Sequence, residues 1–408
     1  MLPENAWVAR ARRFDAAARA WPRWAQLLAV LLTLCVMAWQ SLPHVPRPFT
    51  DFRQSSWLSG ISQPDTFGTD TIADTFEARV VRHDVWDMYT KAGVDQTPEE
   101  AATWSKAASA PYPPLVLLCQ AALAAIGDRL GIGLYGMTLG LAVLFVLLSA
   151  AYCLRTRWYL FPLLYLNFVY FSGRFVEVQD GTYLVMLVTI MAALFAARAG
   201  SALAHALVAA AAAMKLLPLY YVRHLGRLPR LHAAIVVAIL AAGLVLPAAL
   251  WPNYTYIFTF HEELKGGTGG LVAGAVFGAL FAVCLAYVDS RGDFDLEDRI
   301  GWSLVPVALF LAMKMNVPRH LLVVLLVPDK RVWRNAAAAI ALLVPLVVPG
   351  ARFGAALPVA TVLLFAALAW ELSRIGWDTV RDDWRHPART LRGMVTGRWP
   401  GVTPATTA

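Results

Sequence analysis

The chain has 408 residues, of which 59% are apolar and 15% charged, where a soluble domain holds about 45–50% and about 25%. Mean hydropathy is +0.55, and the apolar residues fall in runs too long for a soluble core, which excludes a water-soluble globular fold. The net charge of +8 does not point to nucleic acid, because the basic residues stand at the chain ends and in short loops, where membrane topology places them.

Segment 1–23 carries Arg10, Arg12, Arg13, Arg19 and Arg23 against Glu4 and Asp15. Such a basic segment is expected on the cytoplasmic side. The run Leu27–Trp39 follows, the first of several that include Leu134–Leu154, Thr182–Ala197, Ala233–Leu250, Leu271–Val288 and Leu357–Leu372. About 20 apolar residues span the hydrocarbon layer, and a helix satisfies its backbone there internally, without water. Behind the first run stand Ser41, Leu42, Pro43 and His44 rather than a small-residue cleavage site, so it reads as a retained helix.

Segment 43–112 is too polar to span. Ten acidic residues face six basic ones, a balance of −4, and the loop is expected outside the membrane. Ile72, Phe76, Val80, Val81, Val85 and Met88 recur at helical period between charges, the pattern of a helix lying on a surface. Thr97, Pro98, Glu99 and Glu100 form a capping box that starts a second short helix.

Further spans are expected near 113–127, 130–153, 158–171, 181–197, 201–222, 231–250, 271–288, 300–314, 318–328, 335–349 and 355–372. With the first helix they make an all-α bundle of about twelve helices over 24–372. The basic tail 373–408 returns to the cytoplasm, as an even number requires. This count leaves Arg155, Arg157 and Arg198 outside, against the positive-inside trend. A re-entrant segment before Arg223 removes the conflict.

Ionisable residues beside or inside apolar runs default to function. Asp51, between Phe49 and Arg53 just beyond the first helix, is placed to take a proton from a hydroxyl at the membrane surface, or else is a solvated loop residue. Tyr112 stands among Pro111, Pro113 and Pro114 where the loop re-enters, at the depth of an aromatic belt. Arg174, Glu177, Gln179 and Asp180 form a polar connector that reads most simply as a loop. Lys215 lies inside an alanine-rich run, three residues before Pro218, and calls for a buried partner or a helix break. Lys314, Asn316, Arg319 and His320 crowd a short break, a set that fits a phosphate or an interfacial pair of cations. His261 and Lys265 precede a glycine-rich stretch ending at Gly270, a candidate substrate loop. Asp293 and Asp295 read as a solvated acidic loop rather than a metal site. Cys35, Cys119, Cys153 and Cys284 lie far apart in apolar runs and read as packed free thiols.

Taken in order, Asp51-Phe52 after the first helix, Tyr112-Pro-Pro-Leu115, Gln179 in its connector, Lys215-Leu-Leu-Pro218 and Arg319-His320-Leu-Leu resemble the GT-C class of integral-membrane glycosyltransferases. The likeness is closest to the family 87 type, which includes polyprenyl-phosphomannose-dependent α-mannosyltransferases, and it runs from about 24 to 330. The chain departs from that pattern after Phe52, where Arg53 to Trp57 replace a tyrosine-rich helix. The resemblance implies a multi-pass enzyme of the plasma membrane with an extracytoplasmic active site. Its donor is a polyprenyl-phosphate sugar, its acceptor a lipid or glycan, and it uses neither metal nor cofactor. Asp51 is the implied base. Tyr112, Lys215, His261, Lys265, Lys314, Arg319 and His320 are the implied binding residues. A transporter or flippase of a lipid-linked glycan is the competing reading, although no inverted repeat is visible.

Overall fold

The structure, a computed structural model, describes residues 6–41, 76–89, 95, 112–169, 180–196, 202–251, 254, 267–292, 294–314, 321, 324–347, 353–396 and 399. Among the described residues every regular element is helical. Helices α1 (Ala6–Arg19) and α2 (Arg23–Ser41) come first. A helical stretch over 76–83 runs into a 3-10 turn at Val85–Asp87. Then come α3 (Pro114–Leu130), α4 (Gly133–Arg155), α5 (Leu160–Val169), α6 (Asp180–Ala196) and α7 (Ala202–Lys215). A 3-10 rod at Leu217–Arg227 leads to α8 (Arg230–Leu240), which passes through a π-turn at Ala241–Val245 into α9 (Leu246–Leu250). The remainder is α10 (Gly267–Arg291), α11 (Leu296–Ser303), α12 (Val305–Lys314), α13 (Val332–Val347), α14 (Phe353–Ile375), α15 (Trp377–Trp384) and α16 (Pro387–Thr396).

Four of these are long and apolar enough to cross a membrane: Gly136–Arg155, Arg230–Leu250, Thr268–Arg291 and Leu357–Ile375. The pair α1 and α2, bent by 96°, makes a fifth if taken together. The bend falls at Pro22, which keeps Trp21 out of helical geometry. The apolar helices α6 and α7 are shorter; α7, with 14 residues, is about 21 Å long against a hydrocarbon core of about 30 Å. The described residues are thus all helical in their regular elements, with four to five helices among them able to cross a bilayer.

The helices expose apolar residues on their outer faces, as a lipid solvent allows, and enclose a largely apolar core in which polar side chains are also buried. Leu147, Val237, Val276 and Val362 are exposed, whereas Ser149, Thr189, Asp289 and Asp298 are buried. Two buried threonine hydroxyls are satisfied one turn back: Thr189 donates to the Val185 carbonyl at 2.7 Å, and Thr138 to that of Leu134 at 3.1 Å. Small residues let backbones meet. Gly270, Gly274 and Gly278 lie along α10 against α12, where a Cβ on Gly274 would come within 2.7 Å of the Phe310 carbonyl oxygen.

The ends of the helices sort into two sets. Arg23, at the start of α2, donates to the Leu154 carbonyl at the end of α4, and Arg155 donates to that of Leu194 near the end of α6. Arg223 and Arg227 meet Asp289 at the end of α10. Arg291 meets Asp383 of α15, and Arg331 joins Asp298 to Glu371 near the end of α14. This basic end therefore holds one terminus of each of the four long helices. The opposite end holds the start of α4, Trp251 after α9, and the meeting of Gly270 with Lys314.

Two expectations change here. The count of spans put Arg155 and Arg157 on the side opposite the N-terminal segment, yet Arg157 bonds Asp15 and Trp158 donates to the Ala18 carbonyl. The cause is α3, which does not carry the chain from one end to the other. Both its ends touch segment 76–89: Arg82 pairs with Asp128 at 2.6 Å, and Tyr89 donates to the Tyr112 carbonyl at 2.8 Å. Likewise 201–222 is not one rod. His205 Nδ1 lies 2.6 Å from the Tyr221 hydroxyl, so α7 and the 3-10 rod lie side by side as a hairpin with Lys215 at its tip.

Candidate functional site

Asp51, His261, Lys265, Arg319 and His320 lie outside the described residues, as do Asp293 and the connector residues Arg174 to Gln179. Tyr112, Lys215 and Lys314 are described, and the first two meet. Tyr112, buried, precedes Pro113, whose extended backbone (φ −59°, ψ 153°) turns the chain into α3. Lys215 closes α7, and its Nζ stands 5.5 Å from the centre of the Tyr112 ring. A cation over an aromatic face contributes about 0.5–2 kcal/mol, most where water is excluded.

The tip of the hairpin is strained. Leu216 has φ 27°, the one non-glycine residue at positive φ among those described. Pro218 then holds the start of the 3-10 rod. Such strain persists only where the surroundings over-determine it, and it gathers at functional sites. Here it ends the helix at Lys215, holding the ammonium group against Tyr112 instead of burying it in a continued helix.

Aromatic residues surround the entry. Tyr89, whose hydroxyl holds the Tyr112 carbonyl, packs edge-on against Trp251 and Tyr254. Trp86 stacks on Trp251 at 5.9 Å, and the Trp251 indole donates to the Val85 carbonyl at 3.0 Å. Asp84 caps the 3-10 turn by accepting from Trp86 N at 2.8 Å. Of the predicted apolar face, Phe76, Val80, Val81 and Met88 are buried and Val85 half-buried, while Arg82 and His83 are exposed; Glu77, a charge between them, is buried as well. Helical period did not reveal that Tyr89 shares this face.

Lys314 ends α12, half-buried, beside Gly270 of α10, where a Cβ would lie 3.3 Å from the Lys314 carbonyl oxygen. That neighbourhood is the contact between α10 and α12.

The basic end carries the densest electrostatics, and sequence reasoning missed it. Asp289 receives Arg223 at 3.0 Å, Arg227 at 2.8 Å and Arg299 at 2.7 Å, with His224 at 3.7 Å. Burial pushes His224 down to about 3; Asp289 opposes that shift, and the arginines add to it. Asp295, expected in a solvated loop, N-caps α11 in a capping box with Asp298 and pairs with Lys330. Asp329 approaches closely only because residue 301 is glycine: a Cβ there would collide with the Asp329 carboxylate. Tyr152 donates to Glu297 at 3.2 Å, and Arg155 pairs with Glu297 at 2.9 Å. Apart from the capping box, the partners stand 10 to 145 positions apart, so no local spacing announces them. Among the described residues no three His, Cys, Asp or Glu side chains group to hold a metal.

The end bearing Tyr112 thus offers a half-buried cation, a phenol and an aromatic wall, suited to an anionic group joined to a ring or an apolar chain. The basic end ties its carboxylates to guanidinium groups of other helices, three of them on Asp289, and is suited to holding helices together. Comparison with protein families, with characterised proteins and with solved structures finds no match for this chain.

Proposed function

We propose that this chain is an integral-membrane glycosyltransferase. It moves a hexose, with mannose the first candidate, from a polyprenyl-phosphate donor to a lipid or glycan acceptor at the outer face of the plasma membrane. Asp51 takes the proton of the acceptor hydroxyl, whose oxygen attacks the anomeric carbon while the bond to the phosphate oxygen breaks. The sugar inverts, and polyprenyl phosphate leaves with its charge facing Lys314, Arg319 and His320. Tyr112, Lys215, His261 and Lys265 line the donor side. In the topology that goes with this reading the chain crosses ten times, with both termini in the cytoplasm. Two of the twelve expected spans, 113–127 and 201–222, are re-entrant. Non-helical backbone at membrane depth is tolerated where it lines a cavity, which gives the tip at Lys215 a reason to exist.

The observation that carries the reading is the approach of Lys215 to Tyr112. These residues belong to two of the motifs on which the family resemblance rests, and 103 positions of chain separate them (215 − 112). The test is transfer of labelled hexose from a polyprenyl-phosphate donor by purified protein in vesicles, comparing Asp51→Asn with Asp84→Asn. Loss only in Asp51→Asn, by about 10²–10⁴-fold, is expected. Passage of a lipid-linked glycan across the vesicle, without transfer from any hexose donor, would establish the transporter reading instead.

A further inference from the structure

We infer that α1 and α16 form an arginine-rich collar that binds an anionic phospholipid surface at the basic end of the molecule. Their position makes this possible. The long apolar helix Leu357–Ile375 stops at Gly376, whose φ of 96° turns the chain sharply into α15 and then α16. These helices are pinned to the ends of other long helices. Arg291, at the end of α10, bonds Asp383 through two nitrogens at 2.9 Å, and the Trp399 indole donates to the Ser290 carbonyl. Arg227 and Arg223 donate to the Met394 carbonyl at 2.6 and 3.2 Å. On the N-terminal side, α1 is bent 96° from α2 and held at the end of α4 by Arg157 and Trp158. Both helices therefore sit where hydrocarbon gives way to headgroups.

Their outward faces match that depth. In α16 the residues Thr390, Gly393 and Met394 face the protein, while Leu391 and Val395, one turn apart, are exposed beside Arg389 and Arg392. In α1 the docked residue is Ala18. Phe14 is exposed, as are Trp21 and Trp24 just beyond the helix, with Arg10, Arg13 and Arg19 around them. Arginines mixed with large apolar residues on a helix lying across the end of a membrane span are the pattern of an interfacial helix. α1 has four arginines against Asp15, and α16 has two arginines and no acid. That charge selects a negative leaflet over a neutral one by about five-fold per arginine near the surface.

Hydrogen–deuterium exchange of the full chain tests this in nanodiscs of phosphatidylcholine alone and of phosphatidylcholine mixed with phosphatidylglycerol. Amides of 387–396 and 6–19 are expected to exchange more slowly in the anionic discs, with those of 271–288 unchanged. Arg389→Glu with Arg392→Glu, a change of four charge units, removes or reverses the difference in α16, since the two arginines alone supply up to about thirty-fold of preference. Arg389→Lys with Arg392→Lys retains it, because a charged surface needs no guanidinium fork. Should the charge-reversed protein unfold, the lysine variant and the two lipid mixtures still decide. Equal exchange in both mixtures overturns the inference and leaves the collar to a protein partner.

Discussion

Asp15 and Arg157, 142 positions apart, meet at 2.9 Å and tie the first helix to the turn between α4 and α5. Arg19 and Tyr159 complete the cluster, Tyr159 donating to Asp15 at 2.7 Å. Burial alone raises the Asp15 carboxyl, but hydrogen bonds from Arg19, Arg157 and Tyr159 outweigh it and hold it at about 2, below the ordinary 3.8. A carboxyl depressed in the folded state contributes stability above its unfolded pKa and loses it as pH falls through the folded one. Docking of α1 should therefore weaken between pH 3.8 and about 2. Asp15→Asn should release α1 at neutral pH, read as faster trypsin cleavage after Arg12, Arg13 and Arg19. Cleavage as slow as in the parent chain would mean that the aromatic contacts of Phe14 and Trp21 hold α1 without the ion pair.

The pairing of Tyr112 with Lys215 makes separable demands on ring and hydroxyl. Tyr112→Phe keeps the aromatic face and should leave donor KM within about two-fold, whereas Tyr112→Leu removes the cation–π contact and should raise it by about 2–30-fold, from about 0.5–2 kcal/mol. Lys215→Met keeps the stem and removes the charge, and should match Tyr112→Leu. A double variant no worse than either single change would show that the two act as one unit. Full additivity in the transfer assay would separate them.

Much of this arrangement was legible in the sequence. The prolines around Tyr112 announced where α3 begins, the helical period of Phe76, Val80, Val81 and Met88 gave the buried face, and Pro218 marked the break after Lys215. Arg155 and Arg157 signalled a topological conflict whose remedy, a re-entrant segment, was foreseeable in kind. What was not legible is which segment re-enters, because the apolar run of α3 has the same hydropathy whether it crosses or lies against a polar loop. The cages around Asp289 and Asp298 were hidden for another reason. Each is built from single charges at the ends of separate helices, and an ion pair across 33 or 62 positions leaves no periodic trace.

Asp298 and Asp329 lie at the basic end, beyond the apolar runs, and should make stability fall as pH rises. Burial is the largest cause at both, pushing each carboxyl up. At Asp298 the neighbouring Asp329 adds to this and Arg331 opposes it; at Asp329 the opposing charge is Arg334. A carboxyl raised in the folded state contributes stability that is complete below its unfolded value of 3.8 and is lost as pH climbs through the folded one, about 8 for Asp298. Melting temperature should decline over that window. Asp298→Asn should flatten the decline, since the amide accepts from Arg331 without titrating. Asp378→Asn, at a 98% exposed side chain, is the control and should keep the slope of the parent. A parent protein whose melting temperature holds steady over the window would show that Arg331 and Arg334 keep the pair ionised.

The contact between α10 and α12 rests on backbone meeting backbone. A Cβ on Gly270 would lie 2.8 Å from the Met313 carbonyl oxygen, one on Gly274 2.7 Å from that of Phe310, and one on Gly278 3.2 Å from that of Pro306. The first two cannot be relieved by turning a side chain, so α12 must move, and overpacking of this kind costs about 1–3 kcal/mol. The gain in helix propensity from glycine to alanine offsets about 1 kcal/mol of that. Gly274→Ala should therefore lower the melting temperature in detergent, and Gly278→Ala should lower it less. Gly269→Ala, with nothing within 4 Å of the added carbon, should leave it unchanged or slightly higher. Because α12 ends at Lys314, the shift forced by Gly274→Ala also moves that cation, and donor KM should rise even where the protein stays folded. If Gly274→Ala melts no lower than Gly269→Ala, the two helices are not in backbone contact, and the placement of Lys314 would have to be drawn again.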